Sequence, residues 1–93
     1  MTGTINVLLV DDHQMVIDGI KSILSHDSPY QVVAEANNGQ SAYEQIAADP
    51  ERVQLIITDI SMPLLSGTQL CKMIKNQFPH IQVLILSRYN KVP

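Results

Sequence analysis

The fold of this chain is decided by residues 5–12, INVLLVDD, in which a short apolar run ends abruptly at a pair of aspartates. A nearly continuous apolar run that is rich in β-branched side chains is typical of a strand buried on both faces of a parallel sheet. We therefore predict a strand over Ile5–Val10, followed directly by Asp11.

The same kind of run recurs further along the chain. It predicts strands over Tyr30–Ala36, Val53–Thr58 and Gln82–Leu86. The segments between the strands carry apolar residues at helical spacing and predict helices over His13–Ser25, Ser41–Ala48 and about Thr68–Gln77. Strands that alternate with helices favour βαβ units with right-handed crossovers. The predicted class is therefore α/β, with a parallel sheet between helices.

Composition narrows the class of protein. A length of 93 residues is typical of one small domain. The content of 45% hydrophobic and 16% charged residues is typical of a folded globular domain. A net charge of −3, with scattered basic residues, argues against binding to a nucleic-acid backbone. The single Cys71 cannot form an intrachain disulfide, and no apolar run has the ~18 residues of a membrane span. We expect a cytoplasmic protein without a membrane segment.

Polar residues follow three of the predicted strands. Asp11 and Asp12 follow the first, Asp59 follows the third and Ser87 follows the fourth. The carboxyl ends of parallel strands share one edge of the sheet, so these side chains should converge there. Two carboxylates about 5 Å apart repel by roughly 3 kcal/mol at an effective dielectric near 20, which favours a bound cation. All-oxygen ligands favour Mg²⁺.

Simpler explanations exist for the same residues. An aspartate that precedes a helix can cap it, although capping accounts less well for two adjacent aspartates and a third at another strand end. The Ser87 hydroxyl could simply satisfy backbone groups at its strand end. The three histidines, His13, His26 and His80, are not at the spacing of metal ligands.

These motifs resemble the receiver domain of two-component response regulators. The resemblance runs from Ile5 to Ser87 and includes Met62, Pro63 and Gly67 at their spacing after Asp59. The stretch that begins Asp11-Asp12-His13 and reaches Gly19 is similar to the NarL/FixJ type. The implied fold is flavodoxin-like (CheY-like), a doubly wound parallel sheet with strand order 2-1-3-4(-5).

The resemblance also implies roles for single residues. Asp59 is the expected phosphoacceptor for a sensor histidine kinase. Mg²⁺ would be bound by Asp12, Asp59 and the backbone carbonyl of Ser61, and through water by Asp11. Ser87 would be the switch hydroxyl, and the chain would act as a regulator of an output such as transcription rather than as an enzyme.

The chain departs from the family after the fourth strand. Receivers continue with a helix, a strand that ends in a lysine, and a last helix, so residues 5–93 resemble a partial receiver domain that lacks these elements. Lys91 follows Ser87 too closely to be that lysine, and Arg88 stands where a small residue is usual. DNA binding would need an output domain that is absent from this sequence.

Other functions fit the sequence less completely. A pseudo-receiver, an interaction or dimerisation module that works without phosphorylation, is the main alternative. A haloacid-dehalogenase-type enzyme needs a second acid where Ser61 stands, and a cobalamin-binding loop needs glycine where Val16 stands. With strand four, Val83–Leu86, at the sheet edge, we also expect a homodimer or exchange of segments through that edge.

Overall fold

Four parallel strands form one sheet in the computed structural model, which describes residues 3–62 and 64–86. The strands are β1 (Ile5–Val10), β2 (Tyr30–Ala36), β3 (Leu55–Asp59) and β4 (Gln82–Leu86). Their order is β2-β1-β3-β4, and every neighbouring pair is parallel. The predicted α/β fold and the predicted strand order are confirmed.

Three helices connect the strands: α1 (Gln14–Leu24), α2 (Gly39–Ala48) and α3 (Gly67–Gln77). The Asn38 side chain accepts a hydrogen bond from the backbone N–H of Ser41 at 2.7 Å and caps α2. Ser66 and Gln69 form a reciprocal capping box at the start of α3. Because of these caps, α2 begins two residues earlier than the apolar spacing predicts, and α3 begins one residue earlier.

The sheet separates two apolar layers. On one face, α1 buries Ile17 against Val7, Leu9 and Ile57. The core on the other face includes residues of α2 and α3, namely Ala42, Ile46, Leu70 and Ile74, packed with Leu8, Val10 and Ile56. Alternate residues of β1 and β3 thus enter opposite layers, as expected for strands buried on both faces.

Two details of the prediction were wrong. Val53 is buried but precedes β3, which begins at Leu55. In α1 the fully buried residue is Ile17, whereas Ile23, one of the apolar residues at helical spacing on which the helix prediction rests, is 72% exposed. The stripe of α1 that meets the sheet contains Ile17, Ile20 and Leu24, which lie three or four residues apart and so share one helix face.

Some predictions concern residues outside the described ranges. Pro63, the proposed switch residue Ser87, and Arg88 and Lys91 lie there. Among the helices of the described part, none has the length and apolar character needed to cross a membrane.

Candidate functional site

The carboxyl ends of β1 and β3 bring two aspartates to the same edge of the sheet. Val10 of β1 pairs with Thr58 of β3, so the next residues, Asp11 and Asp59, lie at neighbouring strand ends. Both are buried, with relative exposures of 4% and 3%. Burial of two like charges side by side is unfavourable unless polar groups or a cation offset it.

The backbone around Asp11 is fixed by the end of β2. Its N–H donates to the carbonyl of Ala36 at 3.0 Å, and its own carbonyl accepts from the Asn37 side-chain amide at 3.1 Å. Asp11 therefore extends the β1–β2 pairing by one residue, which holds its carboxylate at a defined place on the edge.

The Asp11 side chain turns the chain towards α1. Its Oδ1 accepts the backbone N–H of His13 at 2.9 Å, a hydrogen bond between residues i and i+2 that forms an Asx-turn. His13, in extended conformation, is the N-cap residue of α1, and its side chain makes no capping hydrogen bond. Asp11 thus accepts a backbone N–H just ahead of α1, as the simpler explanation expects of an aspartate that precedes a helix.

The turn also brings the His13 imidazole back to the carboxylates. His13 Nδ1 lies 2.9 Å from Asp12 Oδ1 and 3.3 Å from Asp11 Oδ1. These three residues, which we call the Asp-Asp-His cluster, offer ligand atoms that all lie within 4.8 Å of one another. The prediction that His13 is not at ligand spacing was wrong, because we compared separations along the chain and missed the turn.

A close backbone contact fixes the segment after Asp59. The N–H of Gly67 donates to the carbonyl of Ile60 at 3.0 Å, and the N–H of Ile60 donates to the carbonyl of Leu86 at 3.2 Å. The Thr58 hydroxyl donates to the carbonyl of Asp59 at 3.0 Å. The start of α3, the end of β3 and the end of β4 are thus joined around Asp59.

Asp11 and Asp59 also line a common cavity of about 10 Å³ beneath this edge, together with Ile17 and Ile20 of α1. A volume of that size holds about one water molecule. Asp11 and Asp59 therefore border the same small, mostly apolar space, whereas Asp12 and His13 are exposed to solvent.

An ion pair next to the cluster ties α1 to the sheet. Lys21 Nζ lies 2.5 Å from Glu35 Oε2, and Gln14 Nε2 donates to Glu35 Oε1 at 3.1 Å. The hydrogen bond from Lys21, and then that from Gln14, lowers the pKa of Glu35, and the hydrogen bond to Glu35 raises the pKa of Lys21. Because Gln14 directly follows His13, this contact also positions the helix start at the cluster.

Comparison with known proteins identifies the family. Residues 7–93 match the family described as response regulator receiver domain. The chain belongs to this family. The resemblance to receiver domains that the sequence motifs indicated is therefore confirmed.

Individual relatives support the assignment. The response regulator protein VraR of Staphylococcus aureus is 40% identical over 86 residues, which cover 92% of this chain and 40% of VraR. The receiver domain of the putative response regulator NarL from Mycobacterium tuberculosis has a TM-score of 0.85 at 27% identity, over 97% of this chain and 71% of that one.

A third relative was solved in a functional complex. RcsB from Salmonella enterica serovar Typhimurium, bound to promoter rprA in the presence of phosphomimetic BeF3−, has a TM-score of 0.84 at 29% identity, with 96% of this chain and 50% of that one covered. This receiver domain thus spans about 40% of VraR and half of that RcsB chain.

Proposed function

We propose that this chain is the phosphoacceptor receiver domain of a two-component response regulator, and that Asp59 accepts a phosphoryl group from a sensor histidine kinase. The observation that carries the proposal is the position of Asp59. It is the last residue of β3, it is 3% exposed, and it lies beside Asp11 at the neighbouring strand end. We propose a role as phosphoacceptor rather than as enzyme.

The transfer is a displacement at phosphorus. A carboxylate oxygen of Asp59 forms the new O–P bond while the P–N bond to the donor imidazole breaks, and the leaving nitrogen keeps the electron pair and takes up a proton. The fixed backbone around Asp59 supports this reaction, since phosphoryl transfer depends mainly on positioning and charge stabilisation.

The donor atoms at this edge suit Mg²⁺, because carboxylate oxygens are the ligands that this ion prefers. We propose that Asp12, Asp59 and the Ser61 carbonyl hold it, with Asp11 bound through water. The ion would supply positive charge that lets an anionic carboxylate meet an anionic phosphoryl group. Asp11 and the Asx-turn to His13 keep the Asp12 backbone at the edge.

Phosphorylation would act through the ends of β3 and β4. The added charge on Asp59 lies next to the Ile60 N–H, which bonds to Leu86, the last residue of β4. Ser87, the next residue, is the proposed switch hydroxyl that would donate to the phosphoryl group. Movement of this segment would pass the signal to an output such as transcription.

We also propose the setting in which the domain works. A cytoplasmic location is supported by membership of the family and by the single Cys71, which needs no oxidising compartment. DNA contact would belong to an output domain, as suggested by the RcsB complex with promoter DNA. Self-association through β4 is supported by the exposure of Leu84 (48%) and Leu86 (37%).

The test is intact mass after incubation with acetyl phosphate and Mg²⁺. We expect one added phosphate on the wild-type chain, none on Asp59→Asn, and the wild-type result on Asp49→Asn, a control at the exposed C-cap of α2. Asp12→Ala should lose the dependence of labelling on Mg²⁺. An adduct that persists in Asp59→Asn, or that never forms on the wild-type chain, would contradict the proposal, and the latter result would favour a pseudo-receiver.

A further inference from the structure

Thr58, the residue before Asp59, carries a hydroxyl group into an apolar layer of the core. Its relative exposure is 0%. Side chains along β3 alternate between the two faces of the sheet, so Thr58 shares the face of Ile56, which packs in the layer with α2 and α3. A buried hydroxyl is unfavourable unless it is hydrogen-bonded, so the partner of this hydroxyl indicates its role.

The partner is the peptide group that follows the proposed phosphoacceptor. Thr58 Oγ1 donates to the carbonyl of Asp59 at 3.0 Å and lies 4.0 Å from Sδ of Met62. The N–H of the same peptide group, which belongs to Ile60, donates to the carbonyl of Leu86 at 3.2 Å. Both polar ends of this peptide group are therefore held by hydrogen bonds.

The orientation of this peptide group determines where the next residues lie. A peptide group is planar and turns as a unit, so rotation about the Cα–C bond of Asp59 would move Ile60 and Ser61 relative to the Asp59 carboxylate. Ser61 carries the backbone carbonyl of the proposed magnesium site. Of the two hydrogen bonds that hold the peptide group, the one from Thr58 comes from a side chain and can be removed by substitution.

We infer that Thr58 is a positioning residue for phosphoryl transfer, whose hydroxyl holds the Asp59 carboxylate and the Ser61 carbonyl in the geometry that the reaction and Mg²⁺ need. The inference deepens the proposed function and rests on it, since it concerns how the same Asp59 is held. Small displacements of reacting groups slow a reaction strongly, and loss of a group that orients metal ligands weakens metal binding. Packing alone does not need the hydroxyl, because valine has nearly the same shape without it.

The experiment compares Thr58→Val with Thr58→Ser, which keeps the hydroxyl. Thr68→Val, the same substitution at an exposed position in the first turn of α3, is the control. Intact mass follows the labelling of each chain by acetyl phosphate at saturating Mg²⁺, and calorimetry measures Mg²⁺ affinity separately. Urea denaturation without metal gives the stability of each variant.

We expect Thr58→Val to lower the maximal labelling rate and the Mg²⁺ affinity about tenfold each. The acetyl phosphate concentration that gives half the maximal rate should not change, because the buried Thr58 does not meet the donor. Thr58→Ser should recover most of the rate and of the affinity, and Thr68→Val should match the wild-type chain. This pattern would not arise from a change in stability alone.

Two results would overturn the inference. One is a Thr58→Val chain that loses stability but, when folded, labels and binds Mg²⁺ as the wild-type chain does, since Thr58 would then have a structural role only. The other is a Thr58→Ser chain as slow as Thr58→Val, since the hydroxyl would then not be the group that matters.

A second pair of variants covers the case in which Thr58→Val does not fold. Thr58→Ala and Thr58→Ser both lack the methyl group and differ in the hydroxyl, so Thr58→Ser should label about tenfold faster. Equal rates in this pair would overturn the inference. A wild-type chain that acetyl phosphate does not label would contradict the proposed function itself, whereas the other results leave that function in place.

Discussion

Gly67 and Asp59 are in direct backbone contact: a Cβ atom placed on Gly67 would stand 2.2 Å from the carbonyl oxygen of Asp59 and 3.0 Å from Cα of Ile60. No side chain fits at that distance, and the neighbouring atoms are backbone, which cannot turn aside. The start of α3 can therefore lie this close to the end of β3 only if residue 67 is glycine.

The first prediction concerns this contact. Gly67→Ala should force α3 away from β3 and lower the free energy of unfolding by about 1–3 kcal/mol, the usual cost of overpacking. Gly19→Ala is the matched control, because Gly19 lies within α1 and an added Cβ meets nothing within 4 Å. It should raise stability by about 0.5–1 kcal/mol through helix propensity.

Urea denaturation of both variants measures these changes, and labelling with acetyl phosphate reports on Asp59. Because the Asp59 carbonyl must shift, Gly67→Ala should also label more slowly than the wild-type chain at a temperature where both are folded. Equal stability and equal labelling in Gly67→Ala would show that α3 is free to shift without cost, contrary to this account.

The second prediction concerns the stability of the site without metal. Asp59→Asn removes one of two buried neighbouring carboxylates, so in a chelating buffer its melting temperature should equal or exceed that of the wild-type chain. Mg²⁺ at ten times its Kd should then stabilise the wild-type chain by about 1.4 kcal/mol and the variant by much less.

Thermal unfolding with and without Mg²⁺ provides the measurement, and Asp49→Asn should respond to Mg²⁺ as the wild-type chain does. A large loss of stability in Asp59→Asn without metal would mean that protein groups, rather than a cation, stabilise the Asp59 carboxylate.

Much of this site could be predicted from the sequence because its positions follow from topology. The apolar run that ends at Asp11 and the one that ends at Asp59 are parallel strands, and parallel neighbours bring their carboxyl ends to one edge. β1, β2 and β4 have their predicted bounds because turn residues or charged residues flank each apolar run.

The missed features depend on local backbone geometry. Nothing in the apolar spacing shows that Asp11 accepts the N–H of His13, and only that turn brings the imidazole to the carboxylates. The start of α2 was likewise missed because Asn38 caps the helix ahead of its first apolar residue, Ala42. A search for Asx-turns and N-caps, rather than for periodicity, would have found both.

The third prediction concerns the pH dependence of the Lys21–Glu35 pair. The pKa of Glu35 is lowered from 4.5, so its carboxylate stabilises the fold above that pH, and this contribution is lost as the pH falls through the lowered value. The pKa of Lys21 is raised from 10.5, so its contribution is present below that pH and is lost as the pH rises through the raised value.

Glu35→Gln should therefore be less stable than the wild-type chain at neutral pH, and the difference should shrink at a pH below 4.5 and in high salt. Denaturant titrations at the two pH values measure it. Glu44→Gln is the control, since Glu44 accepts a hydrogen bond from Gln40 on its own helix and makes no link to the sheet in the described residues. If Glu35→Gln is still less stable than the wild-type chain at acidic pH, the loss of stability comes from packing and not from the charge of Glu35.

The last prediction concerns the exposed edge of the sheet. Within residues 3–62 and 64–86, β4 pairs with β3 alone, and Leu84 and Leu86 are 48% and 37% exposed. Leu84 pairs in register with Ile57, which packs against α1, so the exposed leucines extend the apolar layer beyond the helix that covers it. An uncovered apolar edge strand recruits another strand.

We therefore expect the 93-residue chain to form a homodimer, or to exchange segments, at micromolar concentration in analytical ultracentrifugation. Leu84→Glu should return it to a monomer, because the added charge would be buried without a partner at the new interface. Leu64→Glu, the same substitution at an 83% exposed position in the loop before α3, should leave the dimer intact. A wild-type chain that sediments as a monomer, or a dimer that survives Leu84→Glu, would contradict association through β4.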